Sequence, residues 1–208
     1  RAYQYRDLFP LMIQSWRDTW GEPDMSFLIV SLANFTAPQK EPAESGWAEL
    51  REAQTMTAAL PHNGQAMAID LADPGNPGDI HPKDKQDVGH RLMLVALNKT
   101  YAKNDIEYSG PQFDSMKIDG DKAHVKLTHA DGLHTKADEG GNTPGEALKG
   151  FQIAGEDKQW FWADAKIDGV SVILSSEKVP HPVAVRYAWA NNPIANLYNK
   201  SDLPAVPF

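Results

Sequence analysis

His81 is the residue best placed to carry out acid–base chemistry. It lies in Gly78-Asp-Ile-His-Pro-Lys-Asp-Lys, where a loop after a predicted strand leads into a predicted helix, and open α/β sheets place catalytic groups at such points. A histidine there can act as a general base toward a hydroxyl nucleophile if an acceptor fixes its tautomer. Asp79 is the nearest acceptor, although a main-chain carbonyl can serve equally. The alternative is that Asp79 caps the helix and His81 is a surface loop histidine.

Two other histidine patterns invite chemical interpretations that we consider weaker. Asp131 precedes His134 by three residues, as in many hydrolase acid/base pairs, but Asp131-Gly is a turn dipeptide between β segments and is expected to be a decoy. His124, His129 and His134 recur every five residues. Because steps of five alternate faces in a strand, these side chains should not converge on a metal.

Two further groups of residues leave alternatives open. Glu49 and Arg51 point to different sides of one predicted helix, so one of them is expected to brace nearby loops through an ion pair, with a substrate role as the lesser alternative. A set of aromatic residues is either a sugar-stacking platform or, more commonly, the core of a β-sandwich. That set is Trp160, Phe161, Trp162, Tyr187 and Trp189.

Composition excludes several classes of function. Twenty basic against 28 acidic residues give a formal charge of -8, which argues against a nucleic-acid or anionic-membrane partner. The chain has no cysteine, so it has no disulfide framework, thiolate zinc site or cysteine nucleophile. No apolar run approaches the ~18 residues of a membrane span. Since the chain offers no thiolate zinc site and its histidines are not expected to converge, we expect no metal, and we expect no cofactor.

The first half of the chain has the pattern of an α/β sheet with helices on both faces. A helical stripe from Tyr5 to Trp16 ends near Gly21, a buried strand covers 27–33, and a helix capped by Ser45 covers 47 to about 60. A second buried strand is predicted at 67–71, and a helix from Pro82 to about 101. Because two strands are too few for a stable sheet, we expect the remaining strands upstream of residue 1.

After Ser109-Gly-Pro the pattern changes to short alternating segments separated by Asp-Gly, Gly-Asp and Gly-Glu turns. This is typical of an antiparallel β-sandwich or jelly roll. We therefore predict two domains, 1–107 and 108–208, with a long polar loop at 137–145. Neither a Gly-x-Ser-x-Gly elbow, a Gly-Gln-Ser turn nor a glycine-rich phosphate loop occurs, so the chain supplies a base without a nucleophile.

Several sequence blocks, distributed from end to end of the chain, together closely resemble the sialate O-acetylesterase family of SGNH-type carbohydrate esterases. The blocks are Tyr5-Arg-Asp-Leu-Phe-Pro with Trp16-Arg17, Ser31-Leu-Ala-Asn-Phe, Trp47-Ala-Glu-Leu-Arg-Glu-Ala-Gln, Ile80-His-Pro-Lys-Asp-Lys-Gln-Asp-Val-Gly-His-Arg-Leu, Tyr108-Ser-Gly-Pro, Val185-Arg-Tyr-Ala-Trp and Asn196-Leu-Tyr-Asn. The resemblance implies the C-terminal part of an SGNH three-layer α/β/α sandwich, followed by an antiparallel β-sandwich.

The resemblance also implies an activity, which is the removal of O-acetyl groups from sugars such as sialic acid by a serine mechanism. His81 becomes the general base, whereas the usual acid position, three residues earlier, is Gly78 here, so the acid is Asp79 or is unnecessary. The Gly-Gln-Ser-Asn nucleophile turn and the Gly-Glu-Ser-Asn oxyanion segment of the family are absent. The expected partners are therefore an acetylated sugar and an upstream half carrying the serine, in a secreted, periplasmic or lysosomal protein. The alternative is a non-catalytic carbohydrate-binding fragment that uses the aromatic β region.

Overall fold

The computed structural model describes residues 1–136 and 147–208, so the polar loop predicted at 137–145 lies outside the described residues. The described helices are α1 (Tyr5–Trp20), α2 (Gly46–Ala58) and α3 (Lys85–Lys99). The described strands are β1 (Phe27–Val30), β2 (Asn63–Ala66), β3 (Gln112–Asp119), β4 (Lys122–Thr128), β5 (His134–Thr135), β6 (Phe151–Ala154), β7 (Trp160–Trp162), β8 (Asp164–Asp168), β9 (Ser171–Ser175), β10 (Ala184–Tyr187) and β11 (Leu197–Tyr198).

The first half is a mixed helix–strand unit, as the sequence predicts. Strands β1 and β2 pair in parallel, with Phe27 opposite Asn63, and α2 and α3 both contact them. Helix α1 packs on α2, and its C-terminus is closed by Gly21 in the left-handed conformation at φ 69°. Among the described residues the sheet has two strands, and Val30 is exposed. The buried strand predicted at 27–33 therefore ends earlier, at Val30, and it is not buried at that residue.

The second parallel strand lies four residues before its predicted place. The paired strand is Asn63–Ala66, whereas the apolar run that begins at Met67 is a buried, irregular segment. Gly64 explains the difference, because a Cβ at this position would lie 2.4 Å from Cγ1 of Val95 on α3. Because α3 lies so close, the strand needs a glycine at this position. A polar strand that contains glycine has no apolar pattern by which the sequence could reveal it.

Helix starts follow their capping side chains. The Ser45 hydroxyl accepts a hydrogen bond from the backbone N–H of Ala48 and begins α2, as predicted. Pro82 is not the first residue of α3. The Asp84 carboxylate caps this helix by accepting from the N–H of Asp87, so the helix begins at Lys85. The helix begins later than predicted because the Asp84 carboxylate pairs with an N–H that the first turn would otherwise leave without a partner.

The second half is antiparallel, as predicted. One sheet has the order β3-β4-β9-β8, a second has β10-β6-β7, and β11 pairs with β5. Val125 and Leu174 from the first sheet share one hydrophobic core with Phe151 from the second. Met67 and Ile69 belong to the same core, so packing is continuous across the predicted boundary at 107/108.

Helix length and polarity bear on membrane insertion. Within residues 1–136 and 147–208, no helix combines the length and the apolar character that crossing a bilayer requires.

Candidate active site

Asp79 and His81 form the hydrogen-bonded pair that their spacing suggests. Nδ1 of His81 lies 2.6 Å from Oδ1 of Asp79, and the same oxygen accepts the backbone N–H of His81 at 2.9 Å. Because an ionised carboxylate can only accept, Nδ1 carries the proton and Nε2 of the neutral ring holds the free lone pair. Within the described part of the chain Nε2 has no hydrogen-bond partner, and 78% of the His81 side chain is exposed. Asp79 does not cap α3, because Asp84 does.

Hydrogen bonds from His81 favour the ionised form of the Asp79 carboxylate. The hydrogen bond from the backbone N–H of His81, followed by that from its ring, holds the pKa of Asp79 below its usual value. Lys83 lies nearby and forms an ion pair with Asp73. That contact lowers the pKa of Asp73 and raises the pKa of Lys83. The loop that carries His81 is thus tied to itself at both Asp79 and Asp73.

A second loop, which contains Thr36, is hydrogen-bonded to the loop that carries His81. The backbone N–H of Thr36 donates to the carbonyl of Pro77 at 2.6 Å, four residues before His81. The Thr36 carbonyl in turn accepts from the side-chain amide of Asn192, which is buried. A contact therefore runs from the C-terminal segment through Thr36 to the loop that presents His81.

A buried carboxylate anchors the start of the same loop, and sequence reasoning missed it. Both oxygens of Asp70 accept from the Arg91 guanidinium, at 2.6 and 2.8 Å, and Oδ2 also accepts from the Tyr198 hydroxyl at 3.1 Å. Burial lowers the pKa of Arg91, but the hydrogen bond and charge of Asp70, with smaller contributions from Tyr198 and Asp87, together raise it. Burial, then the charge of Asp70, raises the pKa of Tyr198. An aspartate inside an apolar run was the available sequence signal, since unpaired buried carboxylates are rare.

Arg51 braces the loops as predicted, but not through an ion pair. Neither Glu49 nor Arg51 forms an ion pair with a residue that the structure describes, so that expectation is wrong. The guanidinium instead donates to five neutral oxygens. They are the carbonyls of Leu32, Ala33, Ala190 and Asn191 and Oδ1 of Asn34. Burial lowers the pKa of Arg51 to about 9, so the group remains a cation at neutral pH.

The other histidines have separate partners. Nε2 of His134 lies 3.0 Å from Asp202, not from Asp131, which pairs with Lys200. His129 contacts Glu107 at 2.8 Å. Residues 1–136 and 147–208 contain no cluster of three or more histidine, aspartate or glutamate side chains able to hold a metal ion.

The five aromatic residues do not form one platform. Tyr187 lies in the hydrophobic core, and the guanidinium of Arg186 lies over Trp160 and Trp189, at 4.2 and 5.5 Å from their ring centroids. Phe161 packs against the core with Lys178 over its ring. Trp162 differs because it is 36% exposed and its indole N–H donates to the Lys40 carbonyl at 2.9 Å. Trp162 lines a cavity together with residues of the loop at 38–40.

Comparison with known proteins gives a consistent result. No protein-family model matches the chain. The sialate O-acetylesterases of Mus musculus and Homo sapiens are 28% and 27% identical over 98% of this chain. A solved carbohydrate acetylesterase from Xanthomonas citri is 44% identical and superimposes on the whole chain with a TM-score of 0.88. The resemblance to the sialate O-acetylesterase family is confirmed.

The similarity to sialate O-acetylesterases concerns part of those proteins. The chain spans 40% of the mouse protein, 42% of the human protein and 46% of the Xanthomonas citri chain. This partial coverage is consistent with the predicted C-terminal portion.

The blocks that carry the resemblance to sialate O-acetylesterases meet in the fold. Arg51, from the block that begins at Trp47, binds main-chain carbonyls of the block that begins at Ser31. Asn199 donates to the Ser109 carbonyl at 2.9 Å and so joins the last block to the one at 108–111. Blocks that lie far apart in the sequence are therefore in direct contact in the fold.

Proposed function

We propose that this chain is the histidine-bearing part of a carbohydrate O-acetylesterase, of the type that removes 9-O-acetyl groups from sialic acid. His81 is its general base and Asp79 the acid that orients it. The observation that carries the proposal is the 2.6 Å contact between Asp79 Oδ1 and His81 Nδ1, with Nε2 left exposed. A base of this kind needs a fixed tautomer and an open second nitrogen, and both conditions are met.

The chemistry follows from that tautomer. Nε2 of His81 takes the proton of a serine hydroxyl as the serine oxygen attacks the acetyl carbonyl. The resulting imidazolium is stabilised by the Asp79 carboxylate and then gives its proton to the departing sugar oxygen, which leaves as a hydroxyl. Water attacks the acetyl-serine with His81 again as base, releasing acetate and restoring the serine. Asp79 stays ionised throughout, in keeping with its lowered pKa.

The remaining parts of the proposal concern the longer protein. We assign residues 1–107 to the C-terminal part of an SGNH three-layer sandwich and residues 108–208 to a β-sandwich domain of jelly-roll type. The serine and the oxyanion asparagine then come from an upstream segment. The protein is proposed to work outside the cytoplasm, in the periplasm, lysosome or extracellular medium, where acetylated glycans occur. Partial coverage of the esterase relatives supports the upstream segment, and their names support the esterase function.

Acetate release by the complete protein tests the role of His81. We expect His81→Ala to lower kcat on an O-acetylated sialic acid by at least about a thousandfold, and Asp79→Asn by about ten- to a hundredfold. His62→Ala is the matched control, because His62 also pairs with an aspartate at the surface, Asp24, at 3.1 Å. Activity of His81→Ala within threefold of wild type would show that His81 is not the base.

An intact mass spectrum of the denatured protein tests the source of the nucleophile. A companion polypeptide with the Gly-Gln-Ser-Asn turn, or a longer chain that contains both segments, is the expected result for active material. Acetate release by a sample that contains this chain alone would contradict the proposal, because the chain has no serine in either expected turn.

A further inference from the structure

Thr36 has a backbone conformation that β-branched residues rarely adopt. Its φ is 71°, in the left-handed region, where the side chain is crowded against the backbone. Six other non-glycine residues in the described part of the chain have a positive φ, and none of them is β-branched. Thr36 is exposed, so burial of its side chain does not account for this conformation. Residues strained in this way persist only where surrounding contacts hold them, and they are frequent at functional sites.

The contacts that hold Thr36 come from the antiparallel second half of the chain. The side-chain amide of Asn192 donates to the Thr36 carbonyl at 2.7 Å. The preceding N–H, that of Phe35, donates to the Asn191 carbonyl at 3.2 Å. Asn192 is 2% exposed, and the Asn191 carbonyl also accepts from the buried Arg51 at 3.1 Å. The amide of Asn192 is therefore a donor whose own position is fixed before it meets Thr36.

The N–H of Thr36 connects this arrangement to the histidine loop. It donates to the Pro77 carbonyl at 2.6 Å. In the part of the chain that the structure describes, every other hydrogen bond of residues 73–83 stays within 73–85. The N–H and the carbonyl of Thr36 belong to adjacent peptide planes, whose relative orientation depends only on φ and ψ. By holding the carbonyl, Asn192 therefore also helps to fix the direction of the N–H that reaches Pro77.

Two short turns connect Pro77 with His81. The N–H of Asp79 donates to the Asn76 carbonyl at 3.0 Å, and the N–H of His81 donates to Oδ1 of Asp79 at 2.9 Å. Because 78% of the His81 side chain is exposed, this backbone rather than packing sets the position of the ring. A general base must lie within hydrogen-bond reach of the proton that it takes, and a misplacement of about 1 Å can lower a rate about a hundredfold.

We propose that Asn192 is a positioning residue for His81, and that it acts through Thr36 and Pro77. Its amide keeps Thr36 in the left-handed conformation, and the Thr36 N–H then holds the Pro77 carbonyl where Nε2 of His81 can reach the serine hydroxyl. The inference rests on the proposed esterase function and deepens it, because it gives the second half of the chain a part in placing the base.

Acetate release by the complete protein tests this role. Asn192→Leu keeps the approximate size of the side chain and removes the donor, so Thr36 can leave its left-handed conformation. We expect kcat on an O-acetylated sialic acid to fall about ten- to thirtyfold, because a smaller fraction of the protein has the base in place. KM should stay within about twofold, because Asn192 acts on the base and not on the substrate.

Asn98→Leu is the matched control for loss of an asparagine amide. The Asn98 amide also donates to a main-chain carbonyl, that of Ile106 at 3.3 Å, but it lies outside the path from Asn192 to the histidine loop. We expect kcat and KM of this variant to equal those of the wild type.

A glycine at position 36 distinguishes positioning from a general loss of stability. Glycine adopts the left-handed conformation without a clash of Cβ, so the bond from residue 36 to Pro77 then depends less on Asn192. Thr36→Gly added to Asn192→Leu should therefore restore kcat to within about threefold of wild type. A variant that had only lost stability would not recover, because glycine loses more conformational freedom on folding than threonine does.

Hydrogen–deuterium exchange of the complete protein tests the contact without turnover. In Asn192→Leu, the peptide that contains Thr36 should exchange about tenfold faster, because its N–H is bonded to Pro77 for less of the time. The same peptide should exchange at the wild-type rate in Asn98→Leu.

Three outcomes would overturn the inference. They are unchanged exchange at Thr36 in Asn192→Leu, a kcat of that variant within about threefold of wild type, and no recovery of kcat when Thr36→Gly is added. Failure of the proposed function gives a different result. If His81→Ala retains acetate release, His81 is not the base, while the exchange experiment still shows whether Asn192 holds Thr36.

Discussion

Replacing Asp70 with alanine should lower the free energy of unfolding by about 3–5 kcal/mol, because the substitution leaves a buried guanidinium without its counter-charge. The side chains of Asp70 and Arg91 are 2% and 6% exposed. Two hydrogen bonds from Arg91 and one from Tyr198 end on this carboxylate, and all three would be lost. The Met67 carbonyl would still accept from Arg91, which limits the loss.

Two further variants separate the charge from its hydrogen bonds. Tyr198→Phe removes one bond to a charged acceptor and should cost about 1.5–3 kcal/mol, less than the loss of the carboxylate. The double variant Asp70→Ala with Arg91→Met removes both charges, and it should recover most of the stability that Asp70→Ala loses. The coupling energy from this cycle measures the buried pair itself.

Urea denaturation followed by tryptophan fluorescence provides the measurement, with m values compared to check that the denatured states match. Asp114→Ala is the matched control, because Asp114 also pairs with a cation, Lys126, at the surface. No resolvable change is expected for the control. Equal effects of the Asp70 and Asp114 substitutions, or a double variant as unstable as Asp70→Ala, would refute the reasoning.

Three other predictions follow from local geometry. Gly64→Ala should destabilise the chain by about 1–3 kcal/mol, measured by urea denaturation, because the added methyl meets Val95; an unchanged midpoint would mean that α3 can move aside. Ser45→Ala should lower the free energy of unfolding by about 1 kcal/mol, because α2 loses its cap. Ser45→Thr should retain most of the stability, because threonine keeps the hydroxyl. The pKa of Asp79, followed through the NMR chemical shift of its carboxyl carbon, should lie below the usual value for an aspartate, because two hydrogen bonds from His81 favour the ionised form; a pKa at or above the usual value would contradict the contact.

The parts of the fold that sequence predicts are those whose causes lie within a few residues. Gly21 ends α1 because it adopts a left-handed conformation, and Ser45 begins α2 through an N–H three residues away. The contact between Asp79 and His81 is of the same kind, since it spans two residues. Such features are visible because local chemistry determines them.

The parts that sequence does not predict depend on distant residues. The strand at Gly64 exists because α3 approaches it, and its polar composition gives no periodic signal. The burial of Arg51 depends on carbonyls at 190 and 191, which are 139 and 140 residues away. Patterning therefore predicted the hydrogen-bonded contact between Asp79 and His81, but not the buried side chains that hold their loop.

The contact between Asp70 and Tyr198 has a consequence for the order of events during synthesis. The two residues are 128 positions apart. At about 5–20 residues per second, a ribosome reaches Tyr198 about 6–26 seconds after it has made Asp70. During that interval the Asp70 carboxylate can bind Arg91 but not the Tyr198 hydroxyl. In the same way, Arg51 cannot yet bind the carbonyls of Ala190 and Asn191. The loop that presents His81 is therefore synthesised before some of the residues that hold it, so nascent chains pass through a stage in which this region lacks its contacts with the C-terminal segment.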